Sequence, residues 1–165
     1  MKTHFSITAL SAALLAAPLA TLAKETRMTK KQMPPAVLAA VEKKYPDAKQ
    51  TGYGKEVEDG KTAWEVKLEK GAQKLEVSLS ADGKFLAEET VVSMKELPEA
   101  VTKALAASKY GKWKAVKAEK IVNGEDEQKV NYEIALSNGK QKAEVVFDSS
   151  GAIAKEETRG AGAKY

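Results

Sequence analysis

The chain is 165 residues long, 43% apolar and 30% charged, with a formal net charge of +4. That balance is ordinary for a protein that buries a core, and it sets disorder aside. There is no cysteine and a single histidine, His4, so disulfide frameworks, Cys–His or Ser–His–Asp nucleophile systems and the usual zinc, copper and haem ligand sets are excluded beyond the first residues.

Lys2 gives a short positive start, Ile7 to Leu22 is rich in Ala and Leu, and "TLA" at Thr21 to Ala23 supplies small residues for a cleavage site. The apolar run is shorter than the ~20 residues of a spanning helix and is interrupted by Pro18. Residues 1–23 are therefore expected to be a cleaved signal peptide, with a mature chain from Lys24 that has no stable membrane insertion. Without a cysteine for lipid attachment, the expected location is the periplasm or the medium. Residues 24–32 read as an N-terminal arm in which the basic "TKKQM" is solvated.

A helix is predicted from Pro34, with Val37, Leu38, Val41 and Tyr45 on one face and Pro46 ending it. The period then changes from 3.6 to 2. Trp64, Val66 and Leu68 alternate with Glu65, Lys67 and Glu69, and Leu75, Val77 and Leu79 continue the alternation. Turns are predicted at "EDGK" (Glu58 to Lys61), "EKGA" (Glu69 to Ala72) and "ADGK" (Ala81 to Lys84), which makes four strands. In the first of them, Gly52 and Gly54 point to an edge, a bulge or a close backbone approach.

The same order recurs. Pro98 opens a second helix with Val101, Ala104 and Leu105, and Gly111 is placed to end it. Tyr132, Ile134 and Leu136, then Ala143, Val145 and Phe147, repeat the strand alternation. A constant offset of 68 aligns "WEVKLEKGAQKLEV" with "YEIALSNGKQKAEV" and "EET" at Glu88 with "EET" at Glu156, whereas the helices align at an offset of 64. The second copy thus carries about four extra residues, placed in the "NGEDEQ" turn at Asn123 to Gln128, where a repeat tolerates insertion. The predicted fold is α+β: two tandem α-β-β-β-β repeats, at 33–92 and 97–158, each a helix packed on an antiparallel four-stranded sheet. One copy is marginal in size for a lone core, so the two are expected to pack together or to share one continuous sheet. Residues 159–165 read as a mobile tail.

The pattern "KYPDAK" followed by "WEVKLEKGAQKLEVSLSADGKFL" resembles the PepSY-like family, also described as beta-lactamase-inhibitor-protein-like. The resemblance covers Met33 to Thr158, twice. The second copy departs from it with Tyr110-Gly111 for Tyr45-Pro46 and Ser150-Gly151 for Asp82-Gly83, which keeps turn chemistry but weakens any inference of a shared ligand. It implies a secreted, non-catalytic module that binds or inhibits other proteins, peptidases among them, with the open face of its sheet.

On that basis the candidate partner-binding residues are Glu65, Lys67, Lys74 and Glu76 in the first copy and Glu133, Lys142, Glu144 and Val146 in the second. All are expected on the solvent side of the sheet. The bland alternative is that they are ordinary sheet residues. Trp113, among lysines in "GKWKAVK", is either an exposed anchor for a partner or a half-buried edge residue. The acidic pairs Glu88-Glu89 and Glu156-Glu157 fit a solvated face better than general acid–base work, because neighbours on a strand point to opposite sides. "NGEDEQ" lacks calcium-loop spacing and reads as an exposed turn. No phosphate-binding glycine motif and no one-sign basic stripe with aromatics is present, so neither a nucleotide cofactor nor nucleic acid is expected. The expected partner is another envelope or secreted protein. A periplasmic carrier of a small apolar ligand, held between helix and sheet, or an envelope-stress protein, is the alternative.

Overall fold

The computed structural model describes residues 26–58 and 60–160; the expected signal peptide lies outside them. The strands are β1 (Thr26–Arg27), β2 (Lys49–Glu58), β3 (Lys61–Lys70), β4 (Gln73–Leu79), β5 (Phe85–Val92), β6 (Lys114–Asn123), β7 (Val130–Ser137), β8 (Gln141–Asp148) and β9 (Ile153–Gly160). The helices are α1 (Pro35–Lys44) and α2 (Glu99–Ala107), each preceded by a 3₁₀ turn, at Lys30–Gln32 and Met94–Glu96. Two compact units result, one holding the chain up to Glu89 together with Asn123–Glu127, the other Thr90–Val122 with the chain from Gln128 onward.

In the first unit α1 starts at a proline pair and ends where the Tyr45 N–H bonds the Val41 carbonyl at 2.8 Å, immediately before Pro46. Val37 and Val41, one helical turn apart, are buried against Val66, Leu68, Leu75, Val77 and Leu79 from β3 and β4. Full burial of each such side chain contributes roughly 1.5 to 3 kcal/mol. Gly83 turns the chain at φ +87°, and a Cβ there would stand 2.7 Å from the Ala36 carbonyl oxygen. The turn glycine is therefore also the point where the hairpin touches the helix backbone.

The second unit repeats the construction with different volumes. Val101 of α2 is buried with Ile134, Leu136, Ala143, Val145 and Phe147. Where the first core has Leu75 and Leu79, the second has Ala143 and Phe147, so a smaller side chain is matched by a larger one four residues on, on the same face of the strand. Gly151, at φ +88°, again approaches the helix, with a virtual Cβ 2.6 Å from the Ala100 oxygen.

Three departures from the sequence reading stand out. The N-terminal arm is structured: β1 pairs with β2 at Lys55 and Gly54, and Met28 packs on the first core. Its 3₁₀ turn is fixed by the Thr29 N–H bonding Gln32 Oε1 at 2.9 Å, as the Ser93 N–H bonds Glu96 Oε2 at 2.7 Å before α2. At the other end, Arg159 and Gly160 belong to β9, opposite Lys142 and Gln141, rather than to a mobile tail. Finally, Trp64 and Tyr132, which the alternation puts on the apolar strand faces, pack on the two cores but stay half-buried, whereas Phe147 is fully buried.

The four extra residues of the second copy also have a structural use. Asn123 is buried, and its Oδ1 accepts from the Glu125 and Asp126 amides at 2.8 and 3.1 Å. The turn lies in the first compact unit: Gly124 N–H bonds the Leu86 carbonyl at 2.8 Å and Lys84 pairs with Glu125.

Candidate partner-binding face

Within each unit the sheet has a helix-covered face and an open face, and strand register fixes which residues share the open one. In the first unit, cross-strand pairing lines up Lys49 with Glu69 and Lys74, Gly52 with Lys67 and Glu76, and Gly54 with Glu65 and Ser78. The Lys67 ammonium lies 3.5 Å from the Glu76 carboxylate. The aliphatic stem of Lys67 lies on Gly52, where an added Cβ would be 3.3 Å from Cδ. Glycine at 52 thus lets a lysine lie flat on the sheet. Lys67 and Lys74 are exposed and Glu76 is half-buried.

In the second unit the rows are Lys114, Ser137, Lys142 and Arg159; then Lys117, Ala135, Glu144 and Glu157; then Glu119, Glu133, Val146 and Lys155. Lys117 bonds Glu119 at 2.6 Å. Arg159 grips Glu157 through Nε and a terminal nitrogen, both at 2.8 Å, and lies 3.6 Å from Glu144. That fork holds the Glu157 carboxyl below its usual range. Glu133 is different. Burial pushes its carboxyl up to about 7, with the nearby charges of Glu144 and Glu119 adding to the effect.

The expected site residues therefore share one kind of face but not one exposure. Glu65, at 7% exposure, and Val146, at 3%, are buried rather than solvent-facing. Both occupy central strands: Glu65 stands between the glycine and serine of its row, and Val146 between Glu133 and Lys155. Lys142 and Glu144 are half-buried. Trp113 resolves to the second of its two readings. It is half-buried, edge-on to Tyr110 with ring centroids 5.2 Å apart, and packs on the second core.

The acidic pairs divide between the two faces. Glu157 serves the open side, while Glu156 reaches to the helix end and bonds Lys109 at 2.6 Å. The Tyr110 hydroxyl meets Thr158 Oγ1 at 2.9 Å. In the first unit the Tyr45 hydroxyl donates to Glu88, which also meets Lys44 at 3.4 Å, and burial followed by that contact raises the Tyr45 phenol above its ordinary value. In both units the lysine of Lys-Tyr at the helix end meets the first glutamate of "EET" on the last strand, while the tyrosine hydroxyl bonds that glutamate, Glu88, in the first and Thr158 in the second. The strings "KY" and "EET" recur in both copies and carry the two halves of this contact, but only the fold brings them together. Among the described residues no cluster of three or more carboxylates has metal-binding geometry, and no helix is long and apolar enough to cross a membrane.

A helix latched onto a meander, used twice, with a charged open face on each sheet, defines a class of small α+β modules. The chain belongs to the family described as "putative beta-lactamase-inhibitor-like, PepSY-like", which matches residues 19–87 and 72–155. Among solved structures, a "putative periplasmic" protein of Bacteroides eggerthii aligns with TM-score 0.64 and 19% identity over 76% of this chain and 88% of its own. A DUF2874 family protein of Bacteroides uniformis gives TM-score 0.63 and 20% identity, covering 76% and 88%. A BLIP-like protein of Bacteroides fragilis gives 0.59 and 22%, covering 81% and 92%. At these identities the likeness is one of fold. No curated protein sequence matches.

Proposed function

We propose that this protein is a non-catalytic binding module of the cell envelope that holds a folded partner protein on the open face of its sheet. The observation that carries the reading is the repeated open face. Both copies present lysine and glutamate in interleaved rows there, while the opposite face is occupied by a latched helix. Interleaved charges of both signs favour recognition of a complementary folded surface. The family's inhibitor-like description supports blockade of an envelope enzyme as the form of such binding. Periplasmic residence is supported by the signal-like residues 1–23 and by the description of the Bacteroides eggerthii neighbour.

An apolar-ligand carrier finds less support. The space between helix and strands is filled by Val37, Val41, Val66, Leu68, Val77 and Leu79 in one unit and by Val101, Ile134, Leu136, Val145 and Phe147 in the other.

A pull-down from periplasmic extract, with the mature chain beside a K67A/K74A/K142A/E144A variant of matching circular dichroism, tests the reading. A protein retained by the first and lost by the second supports it. Equal retention by both variants moves the site elsewhere, and no retention with either leaves the binding-module reading without its partner and counts against it.

A further inference from the structure

The two open faces differ at one end, and the difference has a direction. In the first unit the end row is Lys49, Glu69 and Lys74, with an acid between two bases. In the second the corresponding row is Lys114, Ser137, Lys142 and Arg159: serine has taken the place of the central glutamate, and Arg159 stands where the offset of 68 puts Val91 in the first copy. A second change lies beside it. Both copies carry a β-bulge in their first long strand, between Gln50 and Gly52 and between Ala115 and Lys117. The bulged residue of the first copy is Thr51, whose hydroxyl donates to the Lys67 carbonyl at 3.3 Å. That of the second is Val116, which at 58% exposure is the most exposed large apolar side chain among the described residues. Bulges re-aim side chains, and here an apolar one is turned out beside a basic row.

Much of the charge beside and within this row is already paired. Lys117 is engaged by Glu119, and Arg159 by Glu157 and Glu144. Lys112 and Lys114 are exposed, and among the described residues neither has a carboxylate partner. The end of the face is therefore its basic pole, with Val116 as an apolar contact at its margin.

We propose that this pole, formed by Lys114 and Lys142 with Val116 at its margin, is where an acidic segment of the partner protein docks. The proposal rests on the open face being the partner-binding surface and names the chemistry of what binds there. Exposed charges of this kind act mainly through association rate and salt dependence.

Fluorescence anisotropy of a labelled peptide of alternating glutamate and leucine, titrated with the mature chain, tests it, beside a lysine-for-glutamate peptide and phosphatidylglycerol vesicles. Binding of the acidic peptide alone among the two peptides is expected, weakening with salt, falling about tenfold in K114E/K142E, and weakened in V116T, which restores the first copy's residue. Three results overturn it: no binding of the acidic peptide, equal binding by K114E/K142E, or binding to vesicles without binding to peptide. K114E/K142E also separates this proposal from the one it rests on. If the pull-down partner is held by K114E/K142E and lost by the broader open-face variant, the acidic-segment proposal fails while the binding face stands.

Discussion

Glu133 offers the sharpest test of the second unit's electrostatics. Its carboxyl sits in the middle of the open face, in register with Glu119 on β6 and Val146 on β8, and burial raises it from an ordinary 4.5 to about 7. Because the folded chain holds this proton more tightly than the unfolded chain, Glu133 costs nothing below about pH 4.5. Its cost grows as pH rises towards 7 and is complete above it. A shift of that size corresponds to roughly 3 kcal/mol at most. Glu133→Gln keeps the shape and removes the charge, so it should leave stability nearly unchanged near pH 4.5 and raise it by up to about 3 kcal/mol near pH 8. The assay is urea unfolding followed by circular dichroism across that range, read as the difference between variant and parent, so that other titrating groups cancel. Parallel curves for the two proteins, or a variant less stable than the parent near pH 8, would refute the reasoning.

Phe147 is fully buried in the second core, and Phe147→Ala should cost about 3 to 5 kcal/mol in the same unfolding experiment; a loss under about 1 kcal/mol would mean that the core is not packed around it. Gly151→Ala combines a positive φ with a Cβ that would stand 2.6 Å from the Ala100 oxygen, so it should destabilise by more than the ~1 kcal/mol expected of a left-handed residue alone. Tyr110→Phe removes the hydroxyl contact with Thr158 and should cost about 0.5 to 1.5 kcal/mol, measured against Tyr110→Phe in a Thr158→Val background, where the further loss should vanish.

Much of the fold could be read because the local signals agree with one another. Prolines open both helices, glycines close the hairpins, and the period-2 alternation assigns Val66 and Ile134 to the core side. Charge alone makes the basic run of the arm look solvated. Thr29-x-x-Gln32 is a capping signature, and Ser93-x-x-Glu96 repeats it at the same offset of 64 as the helices. Alternation also assigned Glu65, Glu133 and Val146 to the open face, but it could not give their exposure. That depends on neighbours across the strands, such as the long side chains of Glu133 and Lys155 beside Val146. The role of Ser137 and Val116 required register and a bulge position, neither of which a single strand's pattern contains.

The central claim is that a partner protein is held on the open face, and site-specific photo-crosslinking in cells tests it most directly. A photoreactive residue is placed at Lys67, Lys74 or Glu144 on the open face, or at Glu42 or Lys103 on the exposed surfaces of the helices. The account predicts one common crosslinked protein from the open-face positions and none from the helix positions. The same protein captured from Glu42 and Lys103, with nothing from the sheet, would contradict it.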